Sequence, residues 1–130
     1  MNQPVTQLFL ALSGALSLAI GLSVLVIPHA FFASNHIALG SDPNLMSEIR
    51  APGGLLLAAG LIMLWGVISK RNRHIALQTA IIVFGMYGIS RLLSLILDGI
   101  PSTALIIALA IELILCSVAI VLSLKAQRHE

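Results

Sequence analysis

The chain has 130 residues, of which 58% are apolar and only 9% charged, whereas a soluble domain devotes about 25% of its residues to charge so as to face water. At a mean hydropathy of +1.05 and this small size, where surface dominates volume, a soluble globular enzyme, a disordered chain and a disulfide scaffold are all excluded. The formal charge of +2 comes mostly from basic residues clustered at two short sites beside apolar runs, which is a membrane orientation signal and not a stripe that tracks nucleic-acid phosphates.

Four apolar runs follow one another, each about 20 residues or longer, and about 20 helical residues cross a bilayer core. The first spans about 8–27 and stops at Pro28. Its amino end lacks Lys and Arg and no small-residue cleavage site follows, so it reads as a retained helix and not a signal peptide. The connection from Pro28 to Ser41 carries Phe31, Phe32, His29 and His36, and is expected to be an interfacial loop or a short amphipathic segment with its phenylalanines against the bilayer. The second helix is expected over 43–68, opened by Asp42 as a cap and Pro43 at the first helical position. Lys70 to His74 is too polar for lipid and joins it to the third helix, 75–97. Asp98-Gly99-Ile100-Pro101-Ser102 is a turn, after which Ser102 or Thr103 can cap the fourth helix, 103–124. The expected fold is all-α, an integral membrane four-helix bundle in which residues 1–130 form one transmembrane domain. Lys70, Arg71, Arg73, Lys125 and Arg128 share one side if all four helices span, which predicts cytoplasmic termini and a multi-pass protein of the cell inner membrane.

Glu48, Arg50, Arg91, Asp98 and Glu112 fall on the other side or within the membrane. A charge near the bilayer centre costs about 2.5–3.5 kcal/mol, so it usually faces a partner or a wet cavity. Measured from the basic end, Glu112 lies about 18 Å deep, Arg91 about 24 Å and Arg50 about 27 Å. Helical spacing aligns Arg91 with Phe84, Tyr87, Gly88, Ser94 and Asp98, and Glu112 with Ala108, Cys116, Ala119 and Ser123. Gly14, Ser17 and Gly21 align on the first helix. Small and hydroxyl residues mark helix contacts in membranes, so these stripes predict an interior into which the charges point, with Arg91 meeting Glu112. In the second helix Pro52 leaves the Glu48 carbonyl without its donor, which predicts a kink or interruption, with Arg50 or Arg91 available to the freed carbonyl. Gly53 or Gly54 is expected at a helix contact beside it.

The run SEIRAPGGLLLAAG, then ISRLLSLILDG, then the glutamate of AIELIL resembles the DUF4345 family of small four-helix bacterial membrane proteins and, more loosely, the DoxX-like group. The three motifs keep their order over most of the chain after about residue 42, with Ala51-Pro52 where the family carries glycine after the arginine. The resemblance implies architecture and directs interest to these residues. It brings no activity with it.

Arg50, Arg91 and Glu112, with Glu48 and Asp98 at the rim, read either as an ion-pair network holding the bundle or as a ligand or proton site. His29 and His36 lack a third ligand at diagnostic spacing, so no metal is expected, nor any cofactor. Cys116 reads as a packing residue, and nothing identifies an enzyme. Two function classes remain. One is a membrane binding or accessory protein with an outward-facing polar pocket for a lipid, quinone or other amphipathic molecule, or for a partner membrane protein. The alternative is a small proton-coupled transporter using Glu112, against which stands a first helix without charge, where the four-helix multidrug exporters keep their essential glutamate.

Overall fold

The computed structural model describes residues 3–128. Four long helices, α1 (Gln3–Val26), α3 (Pro43–Ile68), α4 (Arg73–Leu97) and α5 (Thr103–Gln127), are joined by a short helix α2 (Pro28–Ser34), a 3₁₀ turn at Lys70–Asn72 and the 98–102 turn. Each long helix has the length and apolarity to cross a membrane. The chain is therefore a multi-pass membrane protein by its helices.

The helix ends follow local chemistry. Asp42 caps α3 as expected, its Oδ1 accepting from the Asn44 and Leu45 amides at 2.9 and 3.1 Å. Ser102 occupies the cap position of α5, but its hydroxyl donates instead to the Asn35 carbonyl at 3.4 Å and ties that helix to the segment after α2. Gly99 turns the chain with φ of 98°, a conformation open to glycine.

Several expectations are corrected. α1 begins at Gln3 and not near residue 8, because its polar first turns pack inside: Thr6 is fully buried and Gln7 Nε2 donates to the Val67 carbonyl at 3.0 Å. Arg73 is not a solvated loop cation but a buried residue of α4, donating from Nε to Gly66 O at 3.2 Å and from an Nη to Val67 O at 3.4 Å. The last carbonyls of a helix have no partner within it, and an arginine folded back onto them supplies one. α5 runs on to Gln127, beyond the expected 124. Residues 28–34 form a helix whose ring pair Phe31–Phe32, edge to face at 5.5 Å, is half-buried over the bundle and not turned to the bilayer. Pro52 does not interrupt α3, which is continuous through it.

The tightest contact joins α1 and α3, which run antiparallel with backbones nearly touching. A Cβ built on Gly21 would stand 2.6 Å from Leu57 N and 2.8 Å from Gly53 O. One on Gly60 would stand 2.7 Å from Leu18 N and 2.8 Å from Gly14 O. Of the four glycines there, two on each helix and seven residues apart, Gly21 and Gly60 would drive a Cβ into backbone, Gly14 would crowd Leu64 and Gly60 O at 3.0 and 3.1 Å, and Gly53 would meet the Val24 side chain. Gly53 faces Val24 of α1, but Gly54 meets nothing within 4 Å, so only the first of the expected pair is a helix contact. α3 then packs on α4 and α4 on α5, while α5 meets α1 at few positions. The buried core, with Leu10, Met63, Ala76, Leu77, Ala80 and Ala119, sits toward the end that carries Arg73.

Gly60→Ala and Gly21→Ala should each lower stability by about 1–3 kcal/mol, the usual cost of overpacking against backbone that cannot yield. Gly54→Ala should cost nothing, and Gly54→Leu should be accommodated. Thermal unfolding in detergent checks this: equal losses at positions 54 and 60 would show that the α1–α3 contact is not where the close approach lies.

Candidate functional site

At the end opposite Arg73 the helices do not fill the space between them. A cavity of about 500 Å³ lies there, reached by all five helices. α2 covers it with Phe31 and Phe32, Phe84 and Leu56 line it on the side of the buried core, and Pro52 and Gly53 form part of the α3 wall. Its polar groups are few: Ser17 from α1, Tyr87 and Arg91 from α4, and Glu112 from α5, with Ser34 and Asn35 of the α2 segment. Leu16 of α1 and Ile111 of α5 line the cavity yet stay 38% and 42% exposed, which brings its edge to the thin α1–α5 seam.

Arg91 and Glu112 meet, as the helical spacing predicts. Arg91 Nε donates to both carboxylate oxygens, at 3.0 and 2.9 Å. The pair joins α4 to α5, with the carboxylate side chain 13% exposed and the arginine side chain 32%. Gly88 of α4 makes this approach possible, since a Cβ there would stand 2.9 Å from Leu113 Cδ2 and 4.0 Å from Glu112 Cβ. On the same two helices Gln78 Nε2 donates to Ser123 Oγ at 3.3 Å, and the Cys116 thiol packs 3.7 Å from the Ile81 carbonyl. The two-helix contact is thus polar at several levels, but only the ion pair lines the cavity.

The remaining sequence-predicted charges are elsewhere. Glu48 and Arg50 are exposed on α3 outside the cavity lining, and neither forms an ion pair among the described residues. Asp98 is exposed at the end of α4 and accepts a hydrogen bond from Ser94 Oγ at 2.8 Å. Neither Arg50 nor Arg91 reaches the Glu48 carbonyl that Pro52 leaves free; Arg91 is engaged by Glu112. Of the five charges, the structure brings together two, because only Arg91 and Glu112 lie on faces that small residues turn inward.

Ser17 and Tyr87 are cavity residues that the charge pattern did not single out. Ser17 is 1% exposed and its Oγ has no hydrogen-bond partner among the described residues, in contrast to Ser13 one turn earlier, whose Oγ donates to Phe9 O at 2.7 Å. The signal was present as the Gly14–Ser17–Gly21 stripe: a face set by two glycines against α3 holds the serine between them at the cavity wall. Thr6 Oγ1, at the other end of α1, is likewise buried and unpartnered.

A family model described as "Domain of unknown function (DUF4345)" matches residues 5–123, and the chain belongs to that family. Comparison with curated proteins and with solved structures returns no match.

Removing either member of the ion pair leaves the other uncompensated inside the bundle, so Arg91→Gln and Glu112→Gln should each destabilise. The double variant should lose less than the sum of the two, with a coupling of about 0.5–3 kcal/mol as for groups in direct contact. Unfolding free energies of the four proteins in detergent provide the cycle, and strictly additive losses would mean that the two groups do not interact.

Proposed function

We propose that this member of the DUF4345 family is an integral membrane binding protein that holds an amphipathic, lipid-soluble molecule between its helices. The observation that carries this reading is the cavity, whose volume of about 500 Å³ falls within the ~300–1,000 Å³ typical of small-molecule sites. Its make-up supports the same reading, since a mostly apolar lining with a few convergent polar groups is how proteins take up and orient such molecules. The proposed site leaves out Glu48, Arg50 and Asp98; Arg91, Glu112, Tyr87 and Ser17, with Ser34 and Asn35, are its polar groups, and Pro52 and Gly53 part of its wall.

Lys70, Arg71, Arg73, Lys125 and Arg128 lie at the end away from the cavity. Basic residues concentrate on the cytoplasmic side, which supports cytoplasmic termini in the cell inner membrane and a site in the outer half of the bilayer. In a Cys116→Ser background, a cysteine at Ser102 should react with a membrane-impermeant maleimide from outside the cell, and one at Asn72 should not. The reverse pattern would invert the orientation and place the site in the inner half.

Occupancy is tested with a diazirine-bearing tetradecanol in phosphatidylcholine nanodiscs. It should cross-link saturably to cavity residues of α1, α4 and α5, and Ala108→Trp, which fills the cavity from α5, should abolish the saturable fraction. Labelling spread over the lipid-facing surface and unaffected by Ala108→Trp would refute a binding cavity.

A further inference from the structure

The polar wall of the cavity carries more information than its size. A lone arginine there would make the site a receptor for anionic heads, and a lone glutamate one for cations. Here the two are bonded to each other, so the wall has no net charge to offer. Hydrogen-bonding capacity is nevertheless left over. The pair uses only Arg91 Nε, and the terminal guanidinium nitrogens have no partner among the described residues. A carboxylate has about four lone-pair positions, of which this one uses two. Ser17 lines the same cavity from α1, and its Oγ, sealed from the cavity in this rotamer, has no hydrogen-bond partner among the described residues. Buried hydroxyls are normally hydrogen-bonded, and a serine can turn about χ1 to meet a group placed in the cavity.

Ser17 and Glu112 also lie at a similar depth. Counted from the helix ends at the basic side, they stand about 21 Å and about 22 Å along α1 and α5. A head group between them would meet a hydroxyl on one side once Ser17 turns toward it, and unfilled donors and acceptors on the other. A charged head would meet no unpaired counter-charge and would have to break the pair or remain uncompensated, both of which are costly in low dielectric.

Resting on the reading of the cavity as a binding site, we infer that its ligand is an uncharged single-chain amphiphile whose head carries both hydroxyl donors and acceptors, of the monoacylglycerol type. The head lies between Ser17 and the Arg91–Glu112 pair, and the chain lies among the apolar residues of the wall. Two chains with a phosphate head do not suit this volume or this wall.

The test is competition against the diazirine alcohol with three chain-matched probes in mildly alkaline buffer: monomyristoylglycerol, anionic myristate and cationic tetradecylamine. The wild type should take the monoglyceride at least about tenfold more tightly than either charged probe. Glu112→Gln leaves the arginine unpaired and should shift the preference at least about tenfold toward myristate, and Arg91→Gln should shift it toward the amine. A cavity without a head-group site would show neither shift. Myristate or the amine competing as well as the monoglyceride against the wild type overturns the neutral-head assignment while leaving the binding cavity intact, and this measurement needs no variant to fold. If none of the three competes although the alcohol cross-links saturably, the head-group assignment also fails. If the alcohol itself shows no saturable labelling, the cavity reading fails with it.

Discussion

The backbone contact between α1 and α3 is the constraint on which the rest of the bundle depends. Between helices in lipid there is no gain from hiding apolar side chains, because the acyl chains outside are as apolar as the core. What holds helices together is close packing, and here glycines at 14, 21, 53 and 60 bring the two backbones so close that a Cβ at 21 or 60 would collide with amide and carbonyl atoms. That contact fixes the rotation of α1 about its axis. Once Gly14 and Gly21 face α3, Ser17 has no freedom to leave the same side, and the cavity acquires its hydroxyl as a consequence of packing.

The two ends of the bundle then diverge for a physical reason. At the basic end Arg73 folds back onto the last carbonyls of α3, and Gln7 of α1 reaches one of the same carbonyls. Three helices are thereby tied together by groups that would otherwise need water, and small residues such as Ala76, Ala80 and Ala119 close the core beside them. Among the described residues no hydrogen bond ties α1 to α5, whose contacts are few, and the cavity lies between the helices at the other end. The α2 rings cover that gap from above without filling it.

What was legible in the sequence was periodic or terminal. Four spans and the Asp42–Pro43 start follow from patterns within one helix, and the meeting of Arg91 with Glu112 from two such stripes at similar depth, all of which a single chain displays directly. Arg73 was not legible, because its burial depends on a return from α4 to the carbonyls of α3, and a run of basic residues looks the same whether or not one of them turns inward. Phe31 and Phe32 were misplaced for a similar reason: two rings after a proline are equally apolar facing lipid or facing a cavity, and only the path of α2 decides between them. Gly54 and Arg50 show the limit of local reasoning about Pro52. One helical position separates Gly53, against α1, from Gly54, against nothing, and a proline alone does not say which side the neighbour is on.

Charges in this fold are sorted by the face they occupy. Glu48, Arg50 and Asp98 sit within two turns of the helix ends farthest from the basic loops, where water or headgroups are in reach of an exposed side chain. Arg91 is as close to its helix end as Arg50 but lies on an inward face, and with Glu112, which lies further in, it takes the other solution, a counter-charge. The same rule applies to whatever enters. On the proposed reading of the cavity as a binding site, its edge at Leu16 and Ile111 lies on a surface that faces lipid once the helices span, so a ligand would come from the bilayer and carry its head below the interface. For a charged head that step costs about 2.5–3.5 kcal/mol at the bilayer centre. A neutral hydroxylated head avoids that charge penalty and finds an already neutral wall, so the route in and the wall it leads to select for the same chemistry.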